Sequence, residues 1–195
     1  MSDGEMRLYD AEGKRLYLNA EERAAFLSAA RKQPPEVLAL CEVLHWTGCR
    51  ASEPLEVTAE RIDLNGAIVF RSLKKRRPDA FRSVPIPPSL VDGLERTFSI
   101  RQRQRSRKLR SEPLWPISRV RVWQIVTGVM KDAGILEGPH RVPKGLRHGF
   151  CIHAIASGVP VTSVQKWAGH AQLSTTAIYV DAQGAEARDL ASRMW

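Results

Sequence analysis

Side chains suited to phosphodiester chemistry lie in order between residues 144 and 179. Lys144 and Arg147 stand at the start of this stretch, His170 follows a glycine, and Tyr179 comes last. An arginine guanidinium can bind two phosphate oxygens at once, and a lysine or histidine can manage protons. A tyrosine hydroxyl can act as a covalent nucleophile. These residue types together predict a site that binds a phosphodiester and attacks it through tyrosine.

A second arginine lies well upstream, in the segment Thr47-Gly48-Cys49-Arg50-Ala51-Ser52-Glu53. Gly48 is well placed to end the preceding helix, so Arg50 is expected to project from a helix end into a cleft. Glu53 can hold its guanidinium in one geometry. The alternative is an ordinary surface pair, which stabilises a helix by only about 0.2–0.5 kcal/mol. The downstream set of residues favours the functional interpretation.

Both motifs resemble those of the tyrosine recombinases, the phage-integrase family of DNA strand-exchange enzymes. That family reads Thr-Gly-x-Arg-x-x-Glu, then His-x-Leu-Arg-His, a Leu-Gly-His turn and Thr-x-x-Tyr. The resemblance covers nearly the whole chain from about residue 19. The catalytic residues that it implies are Arg50, Lys74, Lys144, Arg147, His170 and Tyr179, supported by Glu53 and His148.

The implied reaction is strand cleavage and rejoining through a 3′-phosphotyrosyl intermediate, without metal, cofactor or ATP. Arg50 and Arg147 would stabilise the transition state, and His170 would hydrogen-bond the phosphate. Lys144 departs from the family, which usually has histidine there. A lysine keeps the positive charge but is a poor base unless its pKa is depressed, so phosphate binding is the role expected of Lys144.

A basic loop, Leu73-Lys74-Lys75-Arg76-Arg77, precedes the segment Arg82-Ser-Val-Pro85. In the family a hairpin loop here delivers a lysine, followed by Arg-x-Val-Pro. Lys74 is preferred as the general acid because it lies closer to the preceding strand, and Lys75 remains open. The alternative is a solvated loop that only contacts phosphate. Within this basic loop, the residues expected to contact DNA are Lys75, Arg76 and Arg77.

A further basic segment runs from Arg101 to Arg110, within an element expected to span Pro88 to about Leu109. Its density of charge predicts a solvated helix or a disordered loop. Phosphate contact is the expected function, since neutralised phosphates dominate non-specific DNA affinity. The expected contacts are Arg101, Arg103, Arg105, Arg107 and Lys108. The chain's net charge of +9 also indicates a polyanionic partner, double-stranded DNA.

Local signals predict an α+β fold that is mainly α-helical, an integrase-type catalytic domain with one small antiparallel sheet. Asn19 and Glu22 form a capping-box pattern, Pro34-Pro35 opens a helix, and Asn65-Gly66 indicates a hairpin. Residues 6–18 are expected to form two short strands. The 195 residues suffice for a single domain without metal or disulfide support.

The ends of the chain and its cysteines complete the expectations. Residues 1–18 are expected to be a short extension with no N-terminal core-binding domain, so a separate protein could supply that clamp. Residues 184–195 are expected to form a helical tail that packs on its own domain or on a neighbouring protomer. Cys41, Cys49 and Cys151 are odd in number and lack zinc-ligand spacing. They indicate reduced thiols of a cytoplasmic protein. A DNA strand-exchange enzyme, as the resemblance implies, would be associated with the nucleoid.

Two other functions remain open. A non-cutting DNA-binding regulator or accessory factor could keep this fold, and Lys144 and the missing clamp favour it. A type IB topoisomerase would share the chemistry and relax DNA instead of exchanging strands. The presence of Arg50, Arg147, His170 and Tyr179 favours an enzyme that cuts DNA.

Overall fold

The computed structural model describes residues 7–71 and 81–181, which form helices around one small sheet. The helices are α1 (Ala20–Ala30), α2 (Pro35–Thr47), α3 (Pro88–Phe98), α4 (Ile100–Arg105), α5 (Arg119–Asp132), α6 (Pro143–Ala156), α7 (Val161–Ala168) and α8 (Ser174–Asp181). The strands β1 (Ile62–Asp63), β2 (Ala67–Arg71) and β3 (Phe81–Pro85) pair antiparallel in chain order. The predicted fold class is confirmed.

The first two helices begin and end where the sequence indicates. Asn19 accepts the backbone N–H of Glu22, and the Glu22 side chain accepts the N–H of Asn19, which completes the capping box of α1. Pro35 begins α2, and Gly48 ends it with a left-handed backbone (φ 58°). The chain therefore turns sharply just before Arg50.

The sheet aligns its apolar residues on one face. Ile68 pairs with Val84, and both side chains are completely buried. Phe70 pairs with Arg82, whose guanidinium lies 5.0 Å from the centre of the Phe70 ring. This register carries Arg82 from β3 toward the helix ends that hold the site.

The element after the sheet is not one continuous helix. Ser99 adopts a left-handed backbone (φ 52°), which ends α3 and starts the short α4. The expected run from Pro88 to about Leu109 was therefore wrong in this detail. Helix propensity gives no sign of such a break, because serine rarely adopts this conformation.

Helix α6 joins two apolar clusters. Its Leu146 belongs to a large core built from α1, α2, the sheet and α5, whereas Cys151 and Ile155 belong to a second cluster. Tyr179 of α8 and Val164 of α7 pack into that second cluster. The packing therefore presents residues of α6 directly to α7 and α8.

The residues before α1 are tied to α6. The two strands expected over residues 6–18 reduce, within the described residues, to a single bridge between Tyr9 and Arg15, closed by Asp10. Leu18 then donates its N–H to the carbonyl of Gly145 at 3.1 Å. The tail expected at 184–195 lies outside the described residues. No helix among those described is long and apolar enough to cross a membrane.

Candidate active site

Arg50 lies directly after the turn at Gly48 and is held by three contacts. Its backbone N–H and its Nη1 donate to the two carboxylate oxygens of Glu53, at 2.6 and 3.1 Å. Its Nη2 donates to the carbonyl of Gly169 at 3.3 Å. About a third of the side chain stays exposed (34%), so part of the guanidinium can meet a ligand from solvent.

Glu53 is the buried carboxylate that organises this corner. Arg82 binds it with both terminal nitrogens, at 3.0 and 2.6 Å, and Arg50 supplies further donors. Burial raises the pKa of Glu53, but hydrogen bonds and charge from Arg82, with Arg50, outweigh it and leave the pKa below its ordinary value. Glu53 is therefore an anion that fixes two arginines.

Arg147 projects from α6 and is nearly completely buried. Its Nη1 donates to the carbonyl of Gly48 and its Nη2 to that of Ala168, both at 2.7 Å. Burial lowers the pKa of Arg147, and the positive charge of Arg50 lowers it further. The two arginine charges are thus close enough to act on one another.

Three arginines bind successive carbonyls at the C-terminal end of α7. Arg82 Nε donates to Trp167 O at 2.7 Å, Arg147 to Ala168 O and Arg50 to Gly169 O. The last carbonyls of a helix lack intrahelical partners and carry partial negative charge. The cationic group is therefore satisfied by backbone oxygens in the free protein.

Tyr179 lies completely buried beside His148. Its hydroxyl oxygen is 2.7 Å from His148 Nδ1, and His148 itself is 1% exposed. Burial raises the pKa of Tyr179, the Cys151 thiol raises it further, and the charge of Arg147 opposes both. Burial lowers the pKa of His148 to about 3, with added repulsion from Lys144 and Arg147. Both groups are therefore neutral in the free protein.

His170 is placed by the turn that ends α7. Gly169 takes a left-handed backbone (φ 66°), and His170 N–H donates to Gln165 O. The buried imidazole lies 2.9 Å through Nδ1 from the Thr176 hydroxyl and stacks on the Tyr179 ring at 6.0 Å. The structure thus brings His170 and Tyr179 together.

The remaining predicted residues lie outside this buried group. Lys144 is exposed on the first turn of α6, near enough to affect the pKa of His148. Lys74, Lys75, Arg76 and Arg77 lie outside the described residues.

The basic segment is partly on α4. Gln104 of α4 donates to the carbonyls of Ala59 and Ile62, which anchors this helix beside the sheet. The cations Arg101, Arg105, Arg107 and Lys108 are exposed, whereas Arg103 is half-buried. Helical structure within the segment was one of the two predicted possibilities. Among the described residues, no group of three or more His, Cys, Asp or Glu side chains could hold a metal ion.

Arg50, Arg147, His148, His170 and Tyr179 follow one another in the order of a known family of proteins. A model of the phage integrase family matches residues 15–186. The chain belongs to the phage integrase family. The resemblance stated from the sequence motifs is confirmed.

Relatives of this phage integrase family member are named as recombinases. Tyrosine recombinase XerD of Listeria monocytogenes serotype 4b (strain F2365) is 30% identical over 179 residues, covering 87% of this chain and 59% of the relative. The chain therefore spans less than two thirds of that protein.

Solved structures show the same fold. The crystal structure of XerA recombinase matches with a TM-score of 0.75 and 24% identity, covering 91% of this chain and 64% of that one. XerH site-specific recombinase, in a pre-cleavage complex with its difH substrate, matches with a TM-score of 0.70 and 20% identity. That match covers 88% of this chain and 55% of XerH.

The structure adds residues that sequence reasoning did not count. Arg82 was noticed only as part of an Arg-x-Val-Pro segment, yet it supplies the bidentate partner of Glu53. The segment's match to the family was the signal that could have identified it. Thr176 is the threonine of the Thr-x-x-Tyr motif, although the motif gave no sign of its contact with His170. Cys151 carried no comparable signal, because its interaction with Tyr179 arises only from packing α6 against α8.

Proposed function

We propose that this phage integrase family member is the catalytic domain of a site-specific DNA recombinase. The observation that carries the proposal is the enclosure of the Tyr179 hydroxyl within the charge field of Arg147 and Arg50, beside His148 and His170. A nucleophile amid preorganised cations suits attack on an anionic phosphodiester. The net charge of +9 supports a DNA substrate.

In the proposed reaction, the Tyr179 oxygen attacks a backbone phosphate. An oxygen–phosphorus bond forms, the bond to the 5′-oxygen breaks, and a 3′-phosphotyrosyl link results. Arg50 and Arg147 stabilise the charge of the pentacoordinate transition state, and His170 hydrogen-bonds the phosphate. The 5′-hydroxyl of another strand then attacks the phosphotyrosine and releases Tyr179.

For a phosphate to reach the arginines, it must replace hydrogen bonds that these arginines make to backbone carbonyls. Arg147 uses both terminal nitrogens to bind the carbonyls of Gly48 and Ala168. Tyr179 has no exposed surface, whereas Arg50 is about one third exposed (34%). In this proposal the phosphate first contacts Arg50. It then replaces the carbonyl oxygens as the partner of Arg147, and the residues that enclose Tyr179 move apart.

Lys74 is proposed as the acid that protonates the leaving 5′-oxygen, and Lys144 as a phosphate contact. A substrate with sulfur at the bridging 5′ position tests the acid, because a thiolate leaves without a proton. Lys74→Ala should slow cleavage of ordinary DNA by about 10²- to 10⁴-fold. On the sulfur substrate, the same variant should cleave at close to the wild-type rate. Arg147→Ala should stay slow on both. Recovery by Lys75→Ala alone would assign the acid to Lys75, and recovery by neither would leave the loop a phosphate contact.

The proposed partners are double-stranded DNA and further copies of this chain, since strand exchange joins two duplexes. Residues 184–195 are the proposed self-association segment, and a separate protein is proposed to contact the other side of the duplex. The proposed location is the nucleoid within the cytoplasm.

A suicide DNA substrate, which loses the strand needed for rejoining, tests the proposed function. On a denaturing gel, wild-type protein should give a covalent adduct with the 3′ side of the cut. Tyr179→Phe should give no adduct and keep nearly full DNA binding, because only the nucleophilic oxygen is removed. Binding without any wild-type adduct would instead support a non-cutting regulator.

A further inference from the structure

Among the described residues, one neighbour of the Tyr179 hydroxyl is placed to take its proton. His148 Nδ1 lies 2.7 Å from the hydroxyl oxygen, which is hydrogen-bonding distance for a donor O–H. Both side chains are enclosed, at 0% and 1% exposure, so water does not compete for the contact. The geometry is that of a nucleophile paired with its base.

The other groups around the hydroxyl are poor acceptors. Burial raises the pKa of Cys151 to about 11, which keeps it a neutral thiol. Arg147 has only donors. His170 presents its ring face to the tyrosine, with an interplanar angle of 17°, and its Nδ1 lies 2.9 Å from Thr176 Oγ1. Within the described residues, His148 alone points an imidazole nitrogen at the hydroxyl.

We propose that His148 is the general base that removes the hydroxyl proton of Tyr179 during strand cleavage. This inference rests on the proposed cleavage activity. It also bears on the departure from the family pattern. The position that usually holds the first histidine of the motif is Lys144 here, and its side chain is exposed. In this proposal His148, the next histidine along α6, acts as the base.

Without substrate, His148 and Tyr179 both stay neutral. His148 resists protonation because of burial and the charges of Lys144 and Arg147, and Tyr179 resists deprotonation because of its own burial. A phosphodiester entering the site brings a negative charge, which offsets the two cations and favours an imidazolium. Proton transfer therefore accompanies substrate binding and oxygen–phosphorus bond formation.

The step balances over the two halves of the reaction. In cleavage, the Tyr179 oxygen bonds to phosphorus while its proton moves to His148 Nδ1, and the 5′-oxygen leaves with the bonding electron pair and takes a proton from the acid. In rejoining, a 5′-hydroxyl attacks phosphorus and gives its proton to the acid that was deprotonated in cleavage, while the tyrosine oxygen leaves with the bonding electron pair. His148 then returns its proton to that oxygen.

His148→Asn is the variant that tests the proposal. An asparagine oxygen can accept a hydrogen bond from near the Nδ1 position but cannot hold a proton at neutral pH. We expect cleavage of the suicide substrate to slow by about 10²- to 10⁴-fold while DNA binding stays unchanged. A purely positional role for His148 would leave cleavage near the wild-type rate, because the hydrogen bond is kept.

Rescue distinguishes a base from a structural residue. Replacing Tyr179 with 3,5-difluorotyrosine supplies a more acidic phenol that needs less help to ionise. In the His148→Asn chain this replacement should restore most of the missing cleavage rate, whereas in an Arg147→Ala chain it should restore none. A failure to rescue His148→Asn, with wild-type adduct formation intact, overturns the base assignment and leaves the proposed function standing.

A second measurement covers the case in which His148→Asn does not fold. With sulfur at the bridging 5′ position the leaving group takes no proton, so slowing in D₂O reports the tyrosine proton alone. Wild-type protein should cleave this substrate more slowly in D₂O, and difluorotyrosine at position 179 should diminish the effect. Equal rates in both solvents would contradict proton transfer to His148. Absence of any wild-type adduct would instead refute the proposed function.

Discussion

The site depends on individual residues that are matched in charge and held by short contacts. Glu53 is the buried anion, and Arg50 and Arg82 are bound to it from different elements. The sequence motif predicted the contact between Arg50 and Glu53, because the two residues are close along the chain. It could not predict that Arg82 completes the group, since that contact joins β3 to the segment after α2 across 29 residues of chain.

Arg82→Ala should show how much this buried pairing stabilises the fold. Removal of Arg82 leaves the buried Glu53 with the partly exposed Arg50 as its charged partner among the described residues. Breaking a buried ion pair costs about 3–5 kcal/mol. The matched control is Arg110→Ala, which breaks an exposed pair with Glu60 and should cost no more than about 1 kcal/mol. Urea unfolding at neutral pH measures both, and equal decreases in the free energy of unfolding would contradict the role given to Arg82.

At the scale of elements, the ends of α2 and α7 determine where the arginines point. The carbonyl of Gly48 ends α2 and accepts from Arg147, while the carbonyls of Ala168 and Gly169 end α7 and accept from Arg147 and Arg50. Gly48 was predicted from the sequence to end α2, whereas the turn at Gly169 was implied only by the family resemblance. The sequence did not predict which carbonyls accept from the arginines, because any backbone carbonyl can accept and only the packing of the helices brings particular ones within reach.

Gly48→Ala should damage the site through this packing. A Cβ at position 48 would come within 2.1 Å of the Phe150 ring on α6, and the left-handed backbone disfavours any side chain. We expect a lower free energy of unfolding and no DNA cleavage, since α2 must move from Arg147. Gly128→Ala is the control, because nothing lies within 4 Å of its Cβ position on α5. The control should be neutral or more stable by up to about 1 kcal/mol, and an unchanged Gly48→Ala protein would contradict the account.

At the scale of the molecule, a chain of net charge +9 encloses the Tyr179 side chain completely. Composition and charge predicted a polyanionic partner, and motif spacing predicted which residues gather. Neither could predict that Tyr179 is completely buried, because burial depends on how α8 packs against α6 and α7. The left-handed Ser99, which separates α3 from the basic α4, was equally hidden from helix propensity.

The exposed cations of the basic segment should carry part of the DNA affinity. Replacing Arg101, Arg105 and Arg107 with Gln should reduce the slope of log affinity against log salt by about one unit for each phosphate that these arginines neutralise. The control replaces Arg31, Lys32 and Lys131, which are exposed near the packing of α1 against α5. An unchanged slope in the first variant would place the segment away from DNA. An equal change in the control would show that the slope follows net charge and not contacts made by this segment.

In the proposed reaction, Tyr179 becomes covalently joined to DNA. The chain has three tyrosines, Tyr9, Tyr17 and Tyr179, so the attachment site can be identified directly. Protein trapped on a suicide substrate can be digested with nuclease and protease and its peptides analysed by mass spectrometry. The predicted result is a nucleotide linked through its 3′-phosphate to the peptide that contains Tyr179, with Tyr9 and Tyr17 unmodified. A nucleotide on any other residue, or linked through a 5′-phosphate, would contradict the account.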